Sequence, residues 1–254
     1  MRDLSIYLTD GAGKLGALLV NALLPPRCLA SGEIVTQQGL LGAAAWSRIH
    51  FITSPFCERC GVPFSFDTGD GGDILCGACI AKPPLFDRAR AVFHYDDGSR
   101  PMILGFKHGD RLEGVPAFAR WMAQASAECL QDRPLIVPAP LHRKRLFRRR
   151  YNQSALLALA LGRLTGAEVS TDALRRVRNT PPQGGLNRAA RERNLRGAIE
   201  IRQRRKSLVQ GRNILLVDDV LTTGATAEAC ARALRRAGAK RVDVSCLARV
   251  VRPG

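Results

Sequence analysis

The residues with the clearest chemical content form one string, Asp218-Asp-Val-Leu-Thr-Thr-Gly-Ala-Thr226, which follows the apolar run Ile214–Val217. Two adjacent carboxylates would repel a phosphate, so their natural partners are a sugar diol or a metal ion. The turn after them is rich in small and hydroxyl residues, which let an anion approach the backbone N–H groups at the start of the next helix. A ribose 5-phosphate carries both a phosphate and a diol, so it is the ligand class that this string indicates. The alternative, a turn whose acids only cap a helix, would need one carboxylate rather than this string.

Each position of this string is a candidate ligand contact. Asp218 and Asp219 are the candidate acceptors for ribose hydroxyls, and the phosphate-binding candidates are Val220, Leu221, Thr222, Thr223, Gly224, Ala225 and Thr226. The sequence contains no G-x-x-x-x-G-K-[ST] string and no G-x-G-x-x-G turn after a strand, so it does not support a Walker-type or dinucleotide site.

Four of the eight cysteines have the spacing of a metal site. Cys57-x-x-Cys60 and Cys76-x-x-Cys79 are two knuckles separated by fifteen residues. Four thiolates close a tetrahedral shell, which predicts one structural zinc without an open position for catalysis. Free thiols or a redox pair would not require two matched knuckles. The spacing therefore predicts a zinc ribbon, and Cys129, Cys230 and Cys246 are expected in the core.

The composition is that of a globular protein with an unusual charge. The 254 residues include 39 Lys and Arg against 22 Asp and Glu, which gives a formal net charge of +17. This balance predicts a polyanionic partner, and the 46% of hydrophobic residues exclude a disordered or fibrous chain. No apolar stretch reaches the ~18 residues that span a bilayer. We therefore expect no membrane insertion and a cytoplasmic location.

From about Asp87, predicted strands and helices alternate along the chain, and these elements must position the candidate residues. Strands are predicted at 90–95, 135–137, 213–217 and 241–247, and helices at 114–130, 152–164 and 225–237. Such alternation predicts an α/β fold with a mostly parallel sheet flanked by helices. In such sheets ligands bind at the carboxyl ends of the strands, where the two aspartates are expected. The Arg-rich segment 175–206 is predicted to be a surface loop followed by an exposed helix.

The string at 218–226 resembles the signature of type I phosphoribosyltransferases, in which the acidic pair holds the ribose hydroxyls of phosphoribosyl pyrophosphate (PRPP). Four further strings, together with the cysteine cluster and the opening Leu-Pro-Pro-Arg-Cys28, resemble the ComF/GntX family of competence-associated phosphoribosyltransferase-like proteins. They are Pro138-Ala-Pro-Leu-His-Arg143, Arg148-Arg-Arg-Tyr-Asn-Gln153, Thr180-Pro-Pro-Gln183 and Arg191-Glu-Arg-Asn-Leu-Arg-Gly197. Because all of these strings occur in the same order as in the family, together they indicate the family more specifically than any single motif does.

The resemblance implies a type I phosphoribosyltransferase-like, Rossmann-like fold and a Mg²⁺-dependent transfer of the phosphoribosyl group from PRPP. The loop after strand 135–137 would contact pyrophosphate through Pro140, His142 and Arg143, and Lys107 would be a further phosphate ligand. Segment 179–196 would close over PRPP and exclude water. The implied catalytic residues are Asp218, Asp219, Lys107 and Arg143, whereas no residue identifies the acceptor.

One departure from the family concerns a further pair of knuckles, which the family often carries upstream. Ser31 stands where a second cysteine would follow Cys28, and Gly42-Ala-Ala-Ala-Trp46 stands where the other knuckle would be. An upstream zinc site is therefore expected to be lost. The chain then divides into a helix and connector with degenerate knuckles (1–55), a four-cysteine zinc ribbon (56–84) and a phosphoribosyltransferase-like domain (85–254).

Two functions remain open at this stage and are compatible with each other. The first is a phosphoribosyltransferase with a structural zinc ribbon. The second is an accessory protein of DNA uptake or processing, which would bind single-stranded DNA or the uptake machinery and keep the PRPP site as a sensor or relic. The basic stretches 142–150 and 175–206 support the second function.

Overall fold

The computed structural model describes residues 25–65, 74–108, 111–142, 146, 151–178, 195 and 197–251. Its strands are β1 (Arg88–His94), β2 (Leu135–Pro138), β3 (Leu174–Arg176), β4 (Ile199–Ile201), β5 (Asn213–Leu221) and β6 (Arg241–Arg249). Its helices are α1 (Ala43–Trp46), α2 (Gly77–Ala81), α3 (Arg100–His108), α4 (Val115–Ala125), α5 (Ala127–Leu130), α6 (Gln153–Thr165), α7 (Lys206–Val209) and α8 (Ala225–Arg236). The helix of the predicted N-terminal segment 1–55, which the apolar run places at residues 14–24, lies outside the described residues.

The main sheet has the strand order β1-β6-β5-β2, and all neighbouring strands in it are parallel. The predicted α/β fold with a mostly parallel sheet and flanking helices is therefore confirmed. Two layers cover the sheet because alternate residues of a strand point to opposite faces. Ile214 and Leu216 of β5 pack in a core with residues of α8, whereas Leu215 and Val217 pack in a second core with residues of α4 and α6.

Three elements differ from their prediction. The helix expected at 114–130 is divided at Ser126, whose hydroxyl donates a hydrogen bond to Ser245. Strand β5 continues past Val217 to Leu221 because β6 extends beside it as far as Arg249. The segment predicted to be a loop contains β3 and β4, which pair antiparallel at both ends of a stretch that lies largely outside the described residues.

The described N-terminal part forms two small ribbons, the first of which contains the degenerate knuckles. The first ribbon comprises residues 26–46, and the second ribbon comprises residues 55–65 and 74–81. The second ribbon is held on β1 by Arg90, a buried side chain that pairs with Glu58 and Glu128 and lies 4.6 Å from the centre of the Phe56 ring. Burying an arginine is tolerated here because both carboxylates pair with it.

In the described part of the chain, no helix is long and apolar enough to cross a membrane. Cys129, Cys230 and Cys246 are buried, as expected for core residues.

Candidate functional site

The two aspartates lie inside strand β5 and not after it, so their carboxylates are fixed by the sheet. Asp218 Oδ1 accepts hydrogen bonds from the Ser154 hydroxyl at 3.0 Å and from the backbone N–H of Asp219 at 2.9 Å. Lys107 Nζ lies 3.1 Å from Asp219 Oδ2. Burial, together with the neighbouring charge of Asp219, raises the pKa of Asp218 to about 7. The Asp218 carboxyl therefore titrates near neutral pH.

The first residues of helix α6 connect three parts of this site. Asn152 caps the helix by accepting from the N–H of Ser154, and its Nδ2 donates to the carbonyl of Ala139 in the loop after β2. Gln153 Nε2 donates to the carbonyl of Lys107, and Ser154 donates to Asp218. Asn152 and Gln153 end the motif at 148–153, which assigns them no role, and Ser154 lies outside it. The only available signal was an Asn at the start of a predicted helix.

The turn after β5 passes through a left-handed glycine at the start of α8. Gly224 adopts a φ of 79°, a left-handed conformation that glycine accepts without strain, and it caps α8. The side chains of Leu221 and Ala225 are buried, so these two residues can offer a ligand only their backbone. Val220 packs against the core beside α6. A side chain at Gly224 would meet only Phe86 at 3.9 Å, so the backbone conformation, rather than lack of space, requires glycine here.

The other expected ligand contacts are only partly assembled. Lys107 lies at the acid pair, as described above. Pro140 and His142 line a separate cavity of about 550 Å³ together with Arg175 and Arg176 of β3. Pro140 and His142 belong to the loop after β2. The hydrogen bond from Asn152 to the Ala139 carbonyl places this loop beside the acid pair. Arg143 lies outside the described residues, as do Arg148–Arg150 and most of segment 179–196.

The structure brings the four predicted metal ligands together in the second ribbon. The Sγ atoms of Cys57, Cys60, Cys76 and Cys79 lie within 4.8 Å of one another. The Cys60 and Cys76 sulfurs are 3.7 Å apart. A zinc ion with Zn–S distances of about 2.3 Å gives tetrahedral edges of about 3.8 Å, so the cluster fits a structural zinc.

Backbone groups of the ribbon favour a thiolate at this cluster. Cys57 Sγ accepts from the N–H groups of Cys60 at 3.5 Å and Cys76 at 3.3 Å. Burial alone would raise the pKa of Cys57, but these N–H groups outweigh it and lower the pKa to about 7. Among the described residues, no second group of three or more potential metal-binding side chains comes together.

The first ribbon repeats the same backbone contacts around a single thiol. Cys28 Sγ accepts from the N–H groups of Ser31 at 3.4 Å and Gly42 at 3.2 Å. A side chain added at Gly42 would lie 1.5 Å from Oε1 of Glu33, so the Glu33 carboxylate occupies the space that a cysteine there would use.

Two family models match the chain. Residues 19–80 match a double zinc ribbon domain, and residues 151–252 match a phosphoribosyl transferase domain.

Three similar proteins extend over most of the chain. The DNA utilization protein YhgH of Escherichia coli strain K12 is 35% identical over 212 residues, which cover 81% of this chain and 88% of that protein. Competence protein F of Haemophilus influenzae is 30% identical over 200 residues, covering 77% of this chain and 85% of that protein. Competence protein ComFC of Bacillus subtilis is 30% identical over 206 residues, covering 78% and 79%.

Proposed function

We propose, from the premise that the chain belongs to the ComF/GntX family of competence-associated, phosphoribosyltransferase-like proteins, that it binds PRPP with Mg²⁺ at the end of β5. The observation that supports this most is the placement of the acid pair. Asp218 and Asp219 are held by Ser154 and Lys107, directly before the left-handed turn that starts α8.

Each part of the site has a task in this proposal. The carboxylates accept hydrogen bonds from the two ribose hydroxyls, and the N–H groups of residues 222–226 hold the 5-phosphate at the positive end of α8. Lys107 would leave Asp219 and turn toward the pyrophosphate, with Pro140, His142 and Arg143 completing that subsite. Mg²⁺, when bound with PRPP, neutralises charge on the pyrophosphate.

Transfer of the phosphoribosyl group to an acceptor is the reaction that this arrangement would serve. A nucleophilic atom of the acceptor forms a bond to the anomeric carbon while the bond from that carbon to the pyrophosphate oxygen breaks. The acceptor proton passes to solvent, and pyrophosphate leaves from the side of Lys107. The four cysteines play no part in this step and act by folding the second ribbon around zinc.

Calorimetry of PRPP with Mg²⁺ tests the binding proposal. We expect the double variant Asp218→Asn/Asp219→Asn to bind about 100-fold more weakly, because hydrogen bonds to charged groups contribute roughly 1.5–3 kcal/mol each. Asp132→Asn is the matched control, since Asp132 pairs with Arg241 at the other end of the sheet. A wild-type protein that does not bind PRPP would overturn the proposal.

Nucleic-acid binding is the second candidate, and the net charge of +17 favours it. The names of the relatives refer to DNA utilization and competence. Several arginines at 175–212 are engaged in ion pairs: Arg175 with Glu200, Arg204 and Arg205 with Asp172, and Arg212 with Glu168. The other cations of the basic stretches 142–150 and 175–206 are the candidates for a DNA-binding track, and most of them lie outside the described residues.

Replacing Arg148, Arg149 and Arg150 with Gln tests that track. Three consecutive residues on a regular backbone cannot all point into one small-molecule site, so at least one faces solvent or a larger polyanion. We expect the logarithmic salt dependence of DNA binding to flatten by up to about three units, and DNA affinity to fall more than PRPP affinity. An unchanged salt slope beside an abolished PRPP signal would assign the run to the phosphoribosyl site.

A further inference from the structure

The cavity of about 550 Å³ that borders the loop after β2 lies on the side of β2 away from the acid pair. Strand β5, which carries the acid pair, is the neighbour of β2 on one side, and Val169 forms a parallel bridge to β2 on the other. Thr171 and Asp172 follow Val169 and line the cavity, whereas Lys107 and residues 218–226 do not. The cavity is therefore a separate space from the proposed PRPP site, and the loop after β2 lies between them.

The β3–β4 hairpin supplies this cavity with cations. Arg176 of β3 and Arg202, the residue after β4, both line it. The backbone N–H of Arg202 donates to the Ala173 carbonyl at 2.8 Å, so the end of β4 is fixed beside the start of β3. Arg176 is buried, with 8% of its surface exposed, and solvent therefore screens the charge of its guanidinium only weakly.

Arg202 has a donor that the described part of the chain leaves unused. Its Nε is buried and has no hydrogen-bond partner among the described residues. Buried N–H groups in folded proteins almost always have an acceptor, and a group without one indicates an absent water, ion or ligand. The volume of the cavity is within the range of small-molecule sites, which favours a ligand over a single water molecule.

Two carboxylates of this region already have arginine partners. Asp172 is the only acidic residue in the described lining, and it pairs with Arg204 at 2.6 Å and with Arg205 at 2.9 Å. Arg175 of β3 also lines the cavity, and it pairs with Glu200 of β4 at 3.2 Å. These three arginines match both carboxylates, so the two remaining arginines of the lining leave the cavity with an excess of positive charge.

We infer that this cavity is a second anion site, which binds a phosphate group independently of PRPP. A guanidinium presents its N–H donors in a planar fork that matches two oxygens of a phosphate, and Arg176 and Arg202 bring two such groups to one space. Thr171 and His142 also line the cavity and can donate to further oxygens. The phosphate can belong to a small metabolite or to the backbone of single-stranded DNA, because the binding chemistry is the same for both.

Calorimetry with inorganic phosphate tests the site with a small anion. The protein is first saturated with PRPP and Mg²⁺, so that the turn after β5 is occupied. We expect the wild type to bind one further phosphate per chain, and Arg202→Gln to bind it at least about tenfold more weakly, because a hydrogen bond between charged groups is lost. The PRPP affinity of Arg202→Gln should stay within about twofold of the wild type, since the two sites are separate.

Two further variants control this titration. Arg212→Gln is the matched control, since Arg212 pairs with Glu168 and does not line the cavity. Arg202→Lys keeps the charge but loses the planar fork, so it should bind phosphate with an affinity between those of the wild type and Arg202→Gln. Circular dichroism of each variant verifies that the chain stays folded.

Short oligothymidylate tests the nucleic-acid source of the same phosphate. If the phosphate belongs to DNA, Arg202→Gln should weaken oligothymidylate binding and flatten its logarithmic salt dependence by about 0.7 units, whereas Arg212→Gln should not. If the phosphate belongs to a small metabolite, Arg202→Gln should lose inorganic phosphate and keep its affinity for oligothymidylate. Either result supports a phosphate site in this cavity and identifies the source of the phosphate.

Three results would overturn the inference. The first is a wild type that binds neither probe, or an Arg202→Gln variant that binds both probes as the wild type does. The second is a parallel loss of PRPP affinity in Arg202→Gln, which would make Arg202 part of the PRPP site. The third is an equal loss in Arg212→Gln, which would reflect overall charge. A wild type that does not bind PRPP overturns the proposed function alone, because phosphate titration of the free protein still compares Arg202→Gln with the wild type.

Discussion

The two ribbons share one backbone design but differ in the side chains at their knuckles. Each begins with a cysteine whose backbone N–H donates a hydrogen bond to the carbonyl oxygen five residues later. Cys28 donates to Glu33 at 2.7 Å, and Cys57 donates to Val62 at 2.8 Å. Each then turns through a left-handed glycine, Gly32 at a φ of 76° and Gly61 at 68°. In each, the first cysteine accepts from the residue that precedes a short helix, Gly42 before α1 and Cys76 before α2.

The difference lies in the four positions that could bind metal. The second ribbon places thiols at all four, whereas the corresponding residues of the first ribbon are Cys28, Ser31, Gly42 and Ala45. The first ribbon is held by packing instead: Leu29 lies in the core with Phe118 of α4, and Arg111 donates to the Cys28 carbonyl at 3.0 Å. These contacts hold the first ribbon against α4 and Arg111 through groups other than thiols.

The second ribbon differs also in what it borders. It lines a cavity of about 260 Å³ beside the turn after β5, and Arg249 connects its Cys60 to the end of β6. The first ribbon packs on the opposite core of the sheet, away from that turn. The ribbon with four thiols is therefore the one that borders the turn after the acid pair, whereas the ribbon with one thiol covers a core.

The largest effect should follow loss of one thiol from the second ribbon. We expect Cys60→Ser to lose zinc and to unfold residues 74–81 with little change in the sheet, because metal binding at such sites, about 10–16 kcal/mol, is folding energy. Elemental analysis of the wild type should give one zinc per chain. Cys28→Ser is the control and should retain that zinc. Two zincs per chain, or full retention in Cys60→Ser, would contradict the comparison.

The next effect is a gain of metal by the first ribbon. The triple variant Ser31→Cys/Gly42→Cys/Ala45→Cys should bind a second zinc, because the backbone frame is already present and only the Glu33 side chain must move aside. Ser31→Cys/Ala45→Cys, which leaves three thiols, is the matched control and should bind the second ion much more weakly. A triple variant that still holds one zinc would show that the two frames are not equivalent.

A moderate effect should separate the ribbons in ligand binding. Cys60→Ser should weaken the binding of PRPP by about tenfold, because the second ribbon that borders the turn at residues 222–224 no longer folds around zinc. Cys28→Ser should change PRPP affinity by no more than about twofold, because an isolated site away from the ligand acts independently. Equal losses in both variants would mean that the ribbons act only through overall stability.

The smallest effect concerns the acid pair, which belongs to neither ribbon. With the pKa of Asp218 raised to about 7, its ionised fraction rises from about one tenth at pH 6 to about nine tenths at pH 8. PRPP affinity should therefore rise by up to about tenfold over this range in the wild type. The Asp218→Asn variant should lack the part of this increase in PRPP affinity that comes from Asp218. The difference between the two proteins therefore separates ionisation of Asp218 from titration of the ligand phosphates. An identical pH profile in both proteins would contradict the assignment.

The same shift has an opposite consequence for stability. The folded state keeps a proton on Asp218 that the unfolded chain releases near pH 4, so the contribution of this group falls as pH rises from about 4 to about 7. Asp218→Asn should thus raise the melting temperature at pH 8 while it weakens PRPP binding. A variant that is less stable at pH 8 would show that Asp218 supports the fold.

Sequence reasoning succeeded where the signal was local. Four apolar residues before Asp218 identify a buried strand, and the spacing of two knuckles identifies the cysteine cluster. The end of β5 was misjudged because polar Asp218 and Asp219 interrupt the apolar run, while the pairing partner that extends the strand, β6, is remote in sequence.

The remaining parts of the site depend on tertiary contacts that no local pattern encodes. Ser154 acquires a role only because α6 starts beside the end of β5. Arg249 is one of 39 cations, and its contact with Cys60 joins residues 189 positions apart. The knuckle positions of the first ribbon followed only from the family resemblance, because three of the four carry no cysteine.

A crystal structure of the chain grown with PRPP and Mg²⁺ tests the central claim most directly. We predict density for the 5-phosphate at the N–H groups of residues 222–226, ribose hydroxyls at Asp218 and Asp219, and pyrophosphate on the side of Lys107 and Pro140. Density for PRPP elsewhere would contradict the account. An example is PRPP in the cavity lined by Pro140, His142 and Arg176, with Asp219 still paired with Lys107.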